Sequence, residues 1–550
     1  MDRDEIKKYI RETLSELQIE KQKYLEDMQK AASYMRHRTK ERNSKVKEVP
    51  IYNTAHLDAI NTTVHGVAGY LMSPSIRWFK FVTMGEHFEK SDTLYGANDW
   101  LEDVMNMMYS LFSNSRFYAT DMTALMDSIV TGTSYEMVSD KMEKGKVIFD
   151  AYNPFECYIA ENEDGDVDTF FREYTMTARQ AYKVFGNDLP DEILDMLKAD
   201  GDASTECKFV HAIYPRVDYE MGLVPSFKKK WASVHYSHTG DEIVRISGYD
   251  DFPLAIHRWK KNDSSPYGTG LVMQYLPEIE RLNDLTKQYS IAVQFQASPT
   301  TIVPEALRGR FVYRPGYTNY ANVNQVGKPD IVPNQLNISY LGQQIQDLEL
   351  RIRQLLFSDL FNVLMRQDRQ RTAYEVQELK GEGLILLSAI MGNMQIEKLS
   401  PLVLRTFRTM LRSGALPPPP PELVKASENG MVEVELDGPL AQIMKAYHQA
   451  TGLQQGMSAI AAVMQIFPDE VAQFDGGEIA RQFATAQGLP QSCIREQSDV
   501  KKIKEQQAQA QAQAQQQAQA LQESQILKNL SGVQPGSVAG LPMAQQGGVA

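Results

Sequence analysis

Apolar side chains at Ile6, Ile10, Leu14, Leu17, Tyr24, Met28, Ala31 and Met35 recur in steps of three and four, with Lys21 as the exception. That spacing predicts one amphipathic helix from residue 4 to about 40, packed either on its own domain or on a neighbouring subunit. From about 50 to 135 the pattern stays helical, and Trp100, Leu101, Val104, Met105, Met108, Leu111 and Phe112 form one stripe expected in the core. Between about 136 and 260 the texture changes to short β-rich runs at 146–149, 209–214, 231–236 and 242–246, separated by Gly, Asp and Pro. These predict antiparallel strands within an α+β region.

Pro277 suits the first turn of a helix whose apolar positions, Tyr275, Leu276, Ile279, Leu282, Leu285, Tyr289 and Val293, carry it to about Gln296. A Pro-, Gly- and Asn-rich stretch with short apolar runs follows from Ser298 to about Asn337. A second helix then carries Leu341, Ile345, Leu348, Ile352, Leu355 and Val363. A third helical tract covers about 372 to 413 with an interruption near Pro401, before five prolines, Pro417 to Pro421, impose a stiff connection. Val432, Val434 and Leu436 alternate as a strand, and helices follow to about 488. The Gln/Ala tract from Gln506 to Gln522 has almost no apolar stripe. It is either disordered or a helix that neighbouring copies in a ring would stabilise.

With 550 residues the chain exceeds one hydrophobic core and should divide into several regions. It has 57 Lys plus Arg against 70 Asp plus Glu, a net charge of −13, which argues against a standalone nucleic-acid-binding module. An acidic subunit can still surround DNA without gripping it. The three cysteines, Cys157, Cys207 and Cys493, are widely spaced, so no disulfide framework or CxxC metal site is expected. The N-terminus lacks an apolar signal region and no stretch reaches the roughly 18 apolar residues of a membrane span, so a soluble, unsecreted protein is expected.

Catalytic signatures are missing. Gly145-Lys146 and Gly327-Lys328 are not part of a phosphate-binding loop, Gly132-Thr-Ser134 lacks the second glycine of a nucleophile elbow, and none of the nine histidines forms HExxH. His235 and His238 have a possible ligand spacing but no carboxylate or Cys cluster beside them, and are expected as surface or turn residues. Glu161, Glu163, Asp164, Asp166 and Asp168 fail the calcium-loop register, because Ala160 and Phe171 would occupy its first and last positions; an acidic turn is expected. No enzyme, cofactor or metal is predicted.

A series of motifs in chain order nevertheless resembles one family. Asp164-Gly-Asp-Val-Asp168-Thr-Phe-Phe-Arg172 with Ala178-Arg-Gln180 and Phe185-Gly186 comes first; a generic strand, turn and helix would look the same. Arg258-Trp259, Pro266-Tyr267-Gly268-Thr-Gly270 and Leu282-Asn283 come next, where Gly268 and Gly270 suit a tight bend. Arg371-Thr372-Ala373-Tyr-Glu375-Val376 with Glu378 and Leu399-Ser-Pro-Leu402 is the third, although Thr372 and Glu375 also fit a plain capping box. Gly438-Pro-Leu-Ala441-Gln442, Gly488-Leu-Pro490 and Ser498-Asp-Val500 complete the set. Over roughly residues 10 to 504 the chain resembles the podovirus head-to-tail connector, or portal, family.

The resemblance implies a mixed α+β, predominantly helical, portal-type fold. Residues 1–265 would form an α/β wing, 266–296 a stem helix, 297–340 a small β-containing clip, 341–370 a second stem helix, 371–436 an inner wing or tunnel region, 437–504 a helical crown, and 505–550 a barrel helix or disordered tail. It implies a ring, commonly of twelve subunits, at one capsid vertex of the virion. Double-stranded DNA would pass non-specifically through it during packaging and ejection. Terminase, then a tail adaptor, would dock on the clip, and the major capsid and scaffolding proteins would be further partners. Arg351, Arg353, Arg366, Arg369 and Arg371 are the candidate channel DNA contacts, unless they pair with Asp347, Glu349, Asp359, Asp368 or Glu375. The competing expectation is a self-assembling scaffolding protein that never encloses DNA.

Overall fold

Asp2 starts the first helix by accepting from the Asp4 amide at 2.6 Å, while Glu5 Oε2 accepts from the Asp2 amide at 2.9 Å, a reciprocal cap. In the computed structural model this helix, α1, spans Arg3–Tyr34. The structure describes residues 2–38, 49–83, 94–141, 146–198, 201–220, 225–262, 265–314, 317–332, 337–365, 391–420 and 432–438. All belong to the unit Met1–Met444, and the second unit, Lys445–Ala550, lies outside them. The expected crown and tail, and the Thr372–Glu375 capping box, therefore also fall outside.

α1 packs on its own chain. Ile10, Leu14 and Leu17 join one apolar cluster with Phe171, Val210 and Val234, while Met28, Ala31 and Ala32 join the largest core. The exception in its stripe is explained by its partners: Lys21 is buried and donates to the carbonyls of Pro154 and Cys157, with its ammonium 4.6 Å from the Tyr158 ring centroid. Helices α2 (Ala55–Leu71), α3 (Leu94–Asn114) and α4 (Phe117–Thr131) follow, with β1 (Phe79–Thr83) after α2. Leu101, Val104, Met105, Met108 and Phe112 of the expected stripe on α3 are buried.

The α+β region forms as expected. β2 (Thr133–Lys141), β3 (Lys146–Ala151) and β9 (Leu254–Arg258) make an antiparallel sheet in the order β3-β2-β9. β4 (Cys157–Glu161), β5 (Val167–Thr177), β6 (Glu206–Pro215), β7 (Trp231–Ser237) and β8 (Glu242–Tyr249) form a five-stranded antiparallel meander. The acidic stretch is the β4–β5 turn. Asn162 Oδ1 accepts from the amides of Asp164 and Asp166 at 3.0 and 2.9 Å, and Gly165 takes a φ of 81° there. After β5 come the short helices α5 (Ala178–Phe185) and α6 (Asp191–Asp195).

His235 departs from the expectation of a surface histidine. It lies on β7, stacked on His211 of β6 with ring centroids 4.1 Å apart, because the two positions are paired across neighbouring strands. Burial pushes the His235 imidazole down to about 4. His238, at the end of the strand, lies 3.8 Å from Glu173. Cys157 and Cys207 are buried free thiols.

Strands β10 (Lys261–Asn262) and β11 (Ser265–Gly268) and the turn α7 (Leu271–Gln274) lead into α8 (Leu276–Ala297). Gly268 and Gly270 matter for close approach rather than for a bend. Gly270 has an ordinary φ of −76°, yet a side chain there would lie 2.8 Å from the Ile129 and Val130 carbonyls. One at Gly268 would lie 2.5 Å from the Gly132 carbonyl.

Beyond α8 lie β12 (Thr301–Ile302), the single turn α9 (Val323–Val326) and β13 (Asp330–Ile331), which pairs with β12. The expected second helix is broken in two. α10 (Ile338–Leu355) ends where Phe357 adopts a left-handed φ of 59°, and α11 (Ser358–Met365) starts directly after it. The break lets Phe361 pack directly over Gly66 of α2. Residues 391–394 are helical. A π-turn, Gln395–Leu399, precedes α12 (Ser400–Arg412), so the interruption near Pro401 is a wider turn rather than an end. β14 (Val432–Leu436) is the strand its alternation predicts, and it pairs antiparallel with β1.

Candidate functional site: the α8–α10 helix pair

α8 and α10 run antiparallel. Glu278 at the start of α8 meets Arg351 near the end of α10, and Tyr289 further along α8 lies against Gly342 near the start of α10. Pro277 occupies the first turn of α8, and the Asn337 side chain caps α10 by accepting from the Tyr340 amide at 3.1 Å. The Asn337 cap thus fixes the point where the connection between them re-enters a helix.

The base of the pair is fixed to the body. Leu276, Ile279 and Leu282 of α8 and Ile345, Leu348 and Ile352 of α10 enter the largest core. Asn283 is buried and pinned on both sides: its Oδ1 accepts from the Tyr52 amide at 2.7 Å, and its Nδ2 donates to the Pro50 carbonyl at 3.0 Å. Asn53 Nδ2 donates to Glu349 Oε1 at 2.8 Å and to Thr286 Oγ1 at 3.2 Å, which ties both helices to one residue. The far half differs. Ile291, Val293 and Phe295 on α8, Tyr340 on α10 and Ile302 in the connection are all exposed.

Of the five candidate arginines the structure describes two. Arg351 has a side chain 62% exposed, and its Nη2 lies 3.4 Å from Glu278 Oε1, a carboxylate outside the expected alternatives. Arg353 is exposed in the last turn of α10. Arg366, Arg369 and Arg371 lie outside the described residues. Glu349, one expected arginine partner, instead accepts from Asn53.

A buried charge cluster has no counterpart in the sequence reading. Lys398, on the π-turn, is fully buried between Asp121 of α4 at 2.9 Å and Glu136 of β2 at 3.0 Å. Beside it Glu397 accepts from the Arg258 amide at 2.8 Å and pairs with its guanidinium. Burial would pull the Lys398 ammonium down, but the two carboxylates outweigh it and hold it above the ordinary lysine value. Burial pushes Glu136 up to about 7 against the pull of Lys398. Next to this group, Asp127 accepts from His37 at 2.7 Å. Among the described residues no group of His, Cys, Asp and Glu is arranged to hold a metal ion, and no helix is long and apolar enough to cross a membrane. Lys398 joins the π-turn to the consecutive elements α4 and β2, far away in sequence, a juxtaposition that no local spacing reveals.

A helix pair fixed at one end and apolar at the other suits assembly rather than catalysis, and the comparisons agree. Residues 7–494 match the family of bacteriophage head to tail connecting proteins, and the chain belongs to that family. It is 29% identical over 455 residues to the portal protein of Salmonella phage epsilon15, covering 80% of this chain and 79% of that protein. It is 26% identical over 456 residues to the probable portal protein of Bordetella phage BPP-1, covering 82% of this chain and 80% of that one.

Proposed function

We infer that the chain is a portal subunit, which closes into a ring at one vertex of a phage head and passes duplex DNA during packaging and ejection. The observation that carries this reading is the helix pair whose base is pinned by Asn283 and Asn53 while Ile291, Val293, Phe295 and Tyr340 stay exposed. Exposed apolar surface on a rigid element calls for a partner. Head-to-tail contacts between identical subunits supply one to every copy only when they close. Family membership over residues 7–494 and two relatives named as portal proteins support the same reading.

In this reading α8 and α10 are the stem, the connection between them is the clip, and the ring has twelve subunits. Phage head and tail proteins are its partners; terminase and then a tail adaptor dock on the clip. The role is structural and the place is the virion. Arg351 and Arg353 are channel contacts, loose enough for DNA to slide. Negative-stain electron microscopy of the purified protein tests the reading: closed rings with a duplex-sized hole are expected. Solid particles, or monomers at high concentration, overturn it in favour of a scaffold.

A further inference from the structure

The connection between α8 and α10 contains a surface unlike the rest of the chain. Asp and Glu make up 70 of the 550 residues, yet none occurs from 306 to 329, a window that holds Arg308, Arg310, Arg314 and Lys328. Tyr313, Tyr317 and Tyr320 are interleaved with these cations. All three arginines and all three tyrosines are exposed, Tyr320 to 93%. Arg308, Arg310 and Arg314 form no ion pair among the described residues. Elsewhere several exposed cations are neutralised, as Arg77 is by Glu102 at 3.0 Å and Arg412 by Asp251 at 2.8 Å.

The surface is held in shape. Leu307 is buried and its carbonyl accepts from the amides of Arg310 and Phe311 at 3.0 and 3.2 Å, which anchors the first two arginines. Asn319 then clamps Val312 twice: its Oδ1 accepts from the Val312 amide at 2.9 Å and its Nδ2 donates to the Val312 carbonyl at 2.8 Å. Inside that clamp the Tyr317 amide donates to the Arg314 carbonyl at 3.1 Å. The side-chain amide takes the place of a strand partner and fixes a loop that carries Tyr313, Arg314 and Tyr317.

We propose that residues 308–314 and 317–320 form a contact surface for the phosphate backbone of double-stranded DNA. Guanidinium groups match phosphate in a bidentate way, and tyrosine hydroxyls are further donors to phosphate oxygens. Neither contact reads sequence. The choice of duplex DNA over another polyanion rests on the portal reading; the charge segregation and the loop geometry do not.

The test uses the full-length protein, a fluorescein-labelled duplex of arbitrary sequence, and the variant R308A/R310A/R314A. Anisotropy titrations over a range of salt give the slope of log affinity against log salt. The loop predicts that the variant loses about one unit of slope per arginine, roughly three in all, at an unchanged thermal midpoint. An unchanged slope overturns the proposal. So does variant-sensitive binding of polyglutamate with DNA affinity unaltered, which assigns the loop to an acidic protein. A tyrosine-dependent preference for single strands overturns the duplex assignment. Failure of the unmodified chain to form rings overturns the portal reading alone, because a loop-dependent salt slope is read in monomers as well as in rings.

Discussion

Lys398 Nζ lies 2.9 Å from Asp121 Oδ1 with both side chains buried, so the π-turn before α12 is fastened to α4 by a charge pair shielded from water. Glu136 completes the site at 3.0 Å from the same ammonium. Removing the lysine strands two carboxylates in the interior. Lys398→Ala is expected to destabilise the fold by about 3–5 kcal/mol, the usual cost of breaking a buried pair. Thermal unfolding checks it. Restoration of most of the loss in a Lys398→Met, Asp121→Asn, Glu136→Gln triple variant would show that uncompensated charge, rather than lost packing, is responsible.

The same cluster sets a pH dependence. Burial pushes Glu136 up to about 7, whereas an unfolded glutamate titrates near about 4.3. Between these values the folded chain keeps a proton that the unfolded chain has released. The stability from this group is therefore full below about pH 4 and is lost as pH rises to about 7. The thermal midpoint of the unaltered protein minus that of Glu136→Gln should fall between pH 5 and 7.5; a constant offset would refute the assignment.

Asp251 works in the opposite sense. Burial would raise its carboxyl, but Arg408, Arg412 and Arg405 outweigh it, and the folded value lies below the ordinary aspartate range. Arg412 sits 2.8 Å and Arg408 3.0 Å from its oxygens, so α12 is held to the β8–β9 turn. This contribution is full above the unfolded value of about 3.9 and disappears as pH falls through the lower folded value. The midpoint gap between the unaltered protein and Asp251→Asn should accordingly narrow below about pH 4.

Asn283 tests whether the helix pair must be fixed at its base. Asn283→Ala leaves the Tyr52 amide and the Pro50 carbonyl without their partner, at a cost of about 1–3 kcal/mol. The expected result is a lower thermal midpoint and fewer closed rings in micrographs. Full ring formation by this variant would show that the base contact is dispensable for assembly.

Arg351 separates stability from function. Its pair with Glu278 is 3.4 Å long and mostly exposed, and such pairs contribute about 0–1 kcal/mol. Arg351→Glu with Arg353→Glu should leave the thermal midpoint within a degree or two while reducing DNA packaging. Unaltered packaging and ejection would remove both residues from the channel.

The local code was legible along most of the described chain. The three-four spacing marked α1, α3 and α8, alternation marked β14, β-rich runs marked β3, β6, β7 and β8, and Asn162 with Gly165 made an acidic turn where one was expected. These features arise from neighbours within a few residues, where periodicity and turn chemistry act directly. The break at Phe357 was not legible, because Leu341 to Val363 keep helical spacing through it. What places it is the body of the protein, where Phe361 settles over Gly66. Gly268 and Gly270 were recognised, but the carbonyls of Gly132, Ile129 and Val130 that make them necessary come from more than a hundred residues away. By itself, then, the sequence determined most of the long helices and several strands, their order, the absence of familiar catalytic motifs and the family resemblance. Tertiary structure alone decided that Lys398 is a buried counter-ion and His235 a half-buried ring stacked on His211, because burial and charge pairing depend on which distant segments the fold brings together.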